Sequence, residues 1–232
     1  YAQPLAEFMV EEADWLPDYA LFLALRERFG GKELKDWPDE IRLRHPSALA
    51  RYRAELADEC AFHAFLQLLF FRQWTAVKAY ANGKGISIIG DLPIYVSPDS
   101  AEVWGRPELF QLKEDMTPSG VAGVPPDAFS DKGQHWGNPL YGWDYHRQTG
   151  FAHFRAFHTY WCIPDGASDA RGGHWEPGPG MELVEALRSV PGLALIAEDL
   201  GDLDADALRF IADSGLPGMK VLVYAFDPAG ES

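Results

Sequence analysis

Three short apolar runs in this chain each end on a carboxylate, and that pattern limits the fold more than any other feature. Ile86-Ser87-Ile88-Ile89-Gly90 leads to Asp91, and Leu193-Ala194-Leu195-Ile196-Ala197 leads to Glu198-Asp199. Met219-Lys220-Val221-Leu222-Val223-Tyr224-Ala225-Phe226 leads to Asp227. Runs of this kind read as strands buried on both faces, as in a parallel sheet. Between the last two, Asp204 to Ser214 sets Leu208, Ile211 and Ala212 on one face of a short helix that Gly215 closes. Strand, helix, strand predicts a right-handed βαβ unit and an α/β fold class. In a (β/α)8 barrel the groups at the C-terminal strand ends converge on one pocket.

The first third of the chain is helical instead. Glu12 to Phe29 carries apolar residues at Trp15, Leu16, Tyr19, Phe22, Leu23 and Leu25 and stops at Gly30-Gly31, which predicts a helix with a glycine C-cap. A longer helix is predicted with Ser47 as its N-cap and Asn82-Gly83 as its stop. Its stripe runs Leu49, Tyr52, Leu56, His63, Leu66, Phe70, Trp74, Val77, Tyr80, close to a 3.6 period, so this face is expected to lie on a large core. So long a helix has room to bend or break.

From Asn82 to Gly180 the texture changes, with 15 Gly and 10 Pro in 99 residues. That content approaches the level of disordered segments. Five of the eight Trp (Trp104, Trp136, Trp143, Trp161 and Trp175) fall in the same stretch, however, and disordered segments are poor in aromatics. The reading is therefore of long ordered loops held by aromatic contacts.

Charge narrows the partners. Lys+Arg 20 against Asp+Glu 35 gives a formal net charge of −15, which repels phosphate backbones and acidic lipid, so no nucleic-acid or membrane partner is expected. The longest apolar stretch, Leu66 to Phe71 with Gln67 inside it, is far too short to span a bilayer, and with no basic n-region before an apolar h-region no secretory signal is expected. Cys60 and Cys162 make neither a disulfide framework nor a metal spacing, which fits a reducing, cytoplasmic setting. No HExxH or CxxC occurs and no acidic loop suggests calcium, so neither metal nor cofactor is expected.

Paired carboxylates among aromatic loops suit glycoside chemistry: one attacks or stabilises the anomeric carbon while the other protonates the leaving oxygen. An acid after a strand also caps the next helix, which is the better reading for Asp227 and stays open for Asp91 and Glu198. Sugars offer apolar C–H faces that stack on Trp and Tyr, and hydroxyls that bond to Asp, Asn and His. The run from Gly123-Val124-Pro125-Pro126-Asp127-Ala128-Phe129 through Gln134-His135-Trp136-Gly137-Asn138-Pro139-Leu140-Tyr141 has that makeup. An aromatic plug over a barrel rim would look the same.

Here a resemblance becomes specific. Ile89-Gly90-Asp91-Leu92-Pro93-Ile94-Tyr95-Val96, the loop just quoted, Ile196-Ala197-Glu198-Asp199-Leu200-Gly201 and Gly215-Leu216-Pro217-Gly218-Met219-Lys220-Val221-Leu222 resemble the 4-α-glucanotransferases, the amylomaltases or disproportionating enzymes. The helical start is similar to the same family. The resemblance implies a partial (β/α)8 barrel of the α-amylase-like type, residues 83–232, with a helical subdomain, residues 1–82, inserted in it. It implies transfer of α-1,4-glucan pieces between maltooligosaccharides. By motif, Glu198 matches the general acid/base, with Asp199 beside it able to raise its pKa. Asp91 matches the acid that supports the donor sugar, and Asp127, Trp136 and Asn138 match the loop that folds over the glucan.

Two departures from the family pattern stand out. The nucleophile belongs to an Arg-Ile-Asp-His-Phe-Arg motif, of which only His153-Phe154-Arg155 remains, His153 being its substrate-contacting residue. Reading back without a gap puts Ala152 at the nucleophile and Gly150 at the Arg. A βα unit takes roughly 30 residues, so the span from Asp144 to His153 cannot hold the expected helix and strand. The family's first strand is expected upstream of Tyr1, and its last strands, with a third catalytic acid, beyond Ser232. Two alternatives remain: a non-catalytic remnant that binds α-glucan, and an α-amylase-like hydrolase.

Overall fold

The computed structural model of the chain describes residues 2–90, 95–128, 130–149, 158–197 and 204–219. Helices come first, as the sequence predicts: α1 (Ala2–Glu11), α2 (Leu16–Arg28), α3 (Asp39–Arg42), α4 (Pro46–Glu55) and α5 (Ala57–Gly83). The α2 helix has Pro17 in its first turn, where a missing N–H costs nothing, and ends with the Gly31 N–H on the Arg26 carbonyl, 2.8 Å away.

The long helix departs from expectation in two ways. It is two helices, broken at Leu56 (φ −112°, ψ 27°), and its N-cap is His45 with Pro46 in the first turn rather than Ser47. The ring of Pro46 fixes a helical φ without needing a donor, so the start moves to it. The apolar stripe also has no single large core under it. Ala64 and Leu68 pack with Phe8 and Leu16, while Leu66, Phe70, Trp74, Val77 and Tyr80 are 41–71% exposed. Among the described residues, α5 is covered on the side that meets α1, α2 and α4.

The main helical core gathers Leu21, Phe22, Leu25, Trp37, Ile41 and Trp104. Trp104 lies on α6 (Ala101–Gly105), far along the chain, so it joins the helical third to the loops. It is fully buried, donates its indole N–H to the Ile41 carbonyl at 3.0 Å, and carries the Arg44 guanidinium 4.5 Å over its ring. Truncating a buried Trp of this kind costs about 3–5 kcal/mol. Asp99 adds a second tie, accepting from the Leu34 N–H at 2.8 Å and pairing with Arg26 at 3.1 Å.

The glycine-rich stretch folds as a sheet, which the sequence reading had given as loops. β1 (Gly120–Val124), β2 (Gln134–Pro139), β3 (Thr159–Pro164) and β4 (His174–Pro177) pair in the order β2-β1-β3-β4, every neighbour antiparallel. Helix α7 (Trp143–Thr149) precedes β3; α8 (Met181–Arg188) and α9 (Ala205–Ser214) follow β4. These strands are short and carry Gly and Pro, so no alternating pattern announced them. The apolar runs, read as buried parallel strands, are not paired as strands among the described residues: Ile86, Ile88 and Ile89 are exposed, as are Leu193 and Ile196. A parallel strand is buried only when flanking strands and helices cover it. One backbone link stands where the βαβ unit was expected, from the Ala197 N–H to the Pro217 carbonyl at 2.8 Å. The helix of that unit matches the sequence, with Asp204 accepting from the Ala207 N–H and Gly215 closing it at φ +56°. The third run falls outside the described residues beyond Met219.

Gly123 is where the sheet is tightest. A Cβ there would lie 2.2 Å from the Gln134 carbonyl oxygen and 2.5 Å from Cδ1 of Ile163. Backbone on one side cannot yield as a flexible side chain would. Gly123→Ala is therefore expected to destabilise by about 2 kcal/mol or more, lowering the thermal midpoint by several degrees on the order of 4–8 °C. A melt followed by near-UV circular dichroism checks this, and an unchanged midpoint would mean that β1 and β2 are not so closely apposed.

Candidate functional site

Of the seven residues singled out by sequence, Asp127, Trp136 and Asn138 lie among the described residues; Glu198, Asp91, His153 and Asp199 lie outside them. The described part of the site is therefore the hairpin of β1 and β2 and what holds it.

Trp136 stands on β2 with its indole 42% exposed and its N–H donating to Gln134 Oε1 at 3.0 Å. The ring has support beneath it. Tyr95 lies 6.1 Å away centroid to centroid, Tyr95 stacks on Tyr141 at 5.9 Å and 15°, and Tyr141 stacks on Phe110 at 5.4 Å. Offset and edge contacts of this kind add about 0.5–1.5 kcal/mol each beyond simple burial. An aromatic ladder thus runs from the buried Phe110 out to the open face of Trp136.

The base of the ladder is anchored by polar contacts. Gln111 Nε2 donates to the Tyr141 carbonyl at 3.0 Å and to the Tyr160 hydroxyl at 3.3 Å. His146 is buried and sits 3.0 Å from the Leu109 carbonyl, with its ring against Tyr141 and Trp143. Burial pushes the Tyr141 phenol up to about 12, so at neutral pH it is a neutral support rather than a charge.

Asn138 does something other than face open space. Its Nδ2 donates to the Val96 carbonyl at 2.8 Å, which ties the hairpin to the segment that follows Asp91 in the chain. Asp127 is exposed at the hairpin turn, where its carboxylate accepts from the Ser130 N–H at 2.7 Å while its own N–H reaches the Ser130 carbonyl at 3.0 Å. Those bonds give both residues a shaping part in the loop. The sequence reading passed over Tyr95, Gln111 and Tyr141 as supports. Tyr95 adjoins the quoted Asp91 motif, but its partner Tyr141 is distant in the chain, and no local pattern reports such a pairing.

Among the described residues, no group of three or more His, Cys, Asp or Glu is placed to hold a metal ion, and no helix is long and apolar enough to cross a membrane. Cys60 and Cys162 are both free, and burial raises both thiols.

Comparison with known proteins adds to this geometry. The family model described as 4-alpha-glucanotransferase matches residues 1–153 and 152–232, two stretches that meet where the nucleophile motif is cut short. The 4-alpha-glucanotransferase of Thermus thermophilus is 46% identical over 250 residues, covering 99% of this chain and 50% of that protein. The Synechocystis 4-alpha-glucanotransferase is 44% identical over 247 residues, covering 97% of the chain and 49% of the relative. Both alignments run longer than the 232 residues of the chain, so some positions of the relatives have no counterpart here. Among solved structures, the amylomaltase of Streptococcus agalactiae in complex with acarbose superposes with a TM-score of 0.91 at 43% identity, over 100% of this chain and 51% of that one. The Corynebacterium glutamicum amylomaltase, at 20% identity and a TM-score of 0.72, shares the fold. The chain spans about half the length of these closely matching relatives, and it belongs to the 4-alpha-glucanotransferase family.

Proposed function

We propose that this chain is the central part of an amylomaltase that moves α-1,4-glucan segments between maltodextrins by a retaining double displacement. The observation that carries the reading is the open Trp136 indole, braced by Tyr95 and Tyr141, in a chain of this family. A neutral stacking face suits the C–H side of a glucose ring, and the Streptococcus agalactiae relative is known in complex with acarbose. In this reading residues 83–232 are the middle of a (β/α)8 barrel and residues 1–82 a helical subdomain inserted in it. The free thiols support a cytoplasmic setting.

Glu198 is assigned as general acid/base, giving its proton to the leaving oxygen and taking one back from the acceptor hydroxyl. Asp199 is placed beside it to hold that proton at neutral pH. Asp91 and His153 bond the donor sugar, Asp127 and Asn138 shape the closing loop, and Trp136 stacks on the glucan. The attacking Asp comes from the family segment that has no counterpart before His153.

Transfer competes with hydrolysis at the glycosyl-enzyme stage. Water is far more concentrated than any sugar, so transfer wins only when the acceptor binds well and the loop excludes water. Given maltotriose alone, the full-length enzyme with its nucleophile segment is expected to yield glucose, maltopentaose and longer chains with little gain in reducing ends. Trp136→Ala should raise that gain. Fast growth of reducing ends with no chain longer than the substrate would replace this reading with that of an α-amylase-like hydrolase.

A further inference from the structure

The segment that follows Asp91 in the chain is held at both of its ends. At one end the Tyr95 ring has Trp136 6.1 Å away and Tyr141 5.9 Å away, and the Val96 carbonyl accepts from Asn138 Nδ2 at 2.8 Å. At the other end Asp99 spends both carboxylate oxygens on the helical third. Its Oδ1 accepts from the Leu34 N–H at 2.8 Å, and its Oδ2 pairs with Arg26 of α2 at 3.1 Å. Just beyond, the Ser100 hydroxyl caps α6 by accepting from the Val103 N–H at 3.3 Å.

What lies between the two ends is short and stiff. Only Ser97 and Pro98 separate Val96 from Asp99, a span of roughly 10 Å at most. The Pro98 ring fixes its own φ near about −65° and keeps Ser97 out of the helical region. The Ser97 hydroxyl accepts from the Asp99 N–H at 3.1 Å, which closes the bend. With so little slack, a shift at Asp99 passes to Val96 and Tyr95 instead of being absorbed on the way. The two ties of Asp99 are unequal. The Asp99 side chain is 15% exposed and Leu34 is buried, whereas the Arg26 side chain is 43% exposed. Water replaces much of what the guanidinium gives, so the bond from the Leu34 N–H counts for more.

We propose that Asp99 is a positioning residue for the glucan site: from the helical third it fixes the Tyr95–Val96 stretch, and through it the stacking face of Trp136. The glucan site rests on the function proposed above; the coupling itself rests on this geometry. The helical third thereby takes a part in substrate binding without touching sugar. Trp136 holds a ring and moves no proton, so the effect belongs to substrate affinity and leaves the chemical step alone.

The test uses the full-length enzyme with its nucleophile segment and follows glucose release from maltotriose, which counts donor cleavage whether the piece goes to sugar or to water. Asp99→Ala is expected to raise KM about fivefold or more and to keep kcat within about twofold. Asp99→Asn, whose Oδ1 still accepts from the Leu34 N–H, should stay within about twofold of the unmodified enzyme in both. In the Trp136→Ala background Asp99→Ala should add less than about twofold, since the face it positions is gone. Asp99→Glu keeps the charge but lengthens the tie by one methylene, and it should raise KM about threefold. Its result decides the matter even if Asp99→Ala does not melt cooperatively. An unchanged KM in Asp99→Glu, an Asp99→Asn variant as impaired as Asp99→Ala, or a full Asp99→Ala loss without Trp136 would each overturn the positioning role. Products with no chain longer than maltotriose would remove the transferase reading and leave the KM result to judge Asp99.

Discussion

Replacing the matched half of the Thermus thermophilus relative with this chain should give a chimera with no measurable disproportionation of maltotriose. Reinserting the relative's own residues at the 152/153 junction should bring activity back. The physical reason is the double displacement: with Ala152 before His153 no carboxylate is placed to attack the anomeric carbon, so the first step has no partner. Removing the nucleophile of a covalent mechanism costs on the order of 10⁵–10⁶-fold in turnover. The family model breaks at 152–153, and the alignments with relatives are longer than the chain, so the relatives carry residues that have no counterpart here. The reinserted segment would also supply the helix and strand that the Asp144 to His153 span is too short to contain. A reinserted segment carrying Ala in place of its Asp separates the two contributions. It should restore the fold, seen as a cooperative melt, and leave turnover at the level of the unfilled chimera. Activity in the unfilled chimera would show that another group takes the nucleophile's part, and would return the junction to a structural reading.

How much of this was legible beforehand varies from element to element. Helices carry local signals, so α9 was read close to both bounds from its cap and glycine stop, and α2 to its glycine stop, though its start at Leu16 lies four residues after the Glu12 that the sequence suggested. The break at Leu56 was not, because the apolar stripe continues across it and only the backbone angles change. The four-stranded sheet escaped for the opposite reason. β1 is Gly-Val-Ala-Gly-Val and β2 contains Gly137 and Pro139, and what makes them strands is pairing with β3. Long-range pairing decides such segments, and sequence pattern reports it poorly. The runs at Ile86 and Leu193 had the right composition for buried strands, but composition does not provide the neighbours that bury them.

The site divides along the same line. Trp136 drew notice as a candidate stacking residue because it stands among Gly, Pro and Asn in an aromatic loop, and the structure has it 42% exposed. Its support was not visible, since Tyr95, Phe110 and Tyr141 come together only in space. Asn138 has a structural contact that the motif did not announce. The residue was singled out as a glucan contact, and its Nδ2 is bonded to the Val96 carbonyl. That bond puts its effect on the position of the loop relative to the chain after Asp91.

Glu198→Gln in the full-length enzyme is expected to lower turnover by roughly 10²–10⁴-fold while leaving glucan affinity near that of the unmodified protein. The amide keeps the shape of the carboxyl and its capacity to accept a hydrogen bond, but it cannot release a proton to the departing oxygen. A glucosyl donor with a leaving group that departs without a proton, such as 4-nitrophenyl maltoside, bypasses that need. The first displacement should therefore be far less impaired on this donor than on maltotriose, and the glycosyl-enzyme should accumulate because the acceptor hydroxyl now lacks its base. The pH profile carries the same information, since the limb that reports the acid should vanish with the carboxyl. An acid placed only to hold structure would behave otherwise: both donors would be affected alike, and affinity would fall together with rate. Equal losses on the two donors would take the acid/base role away from Glu198 and leave Asp91 as the next candidate to substitute.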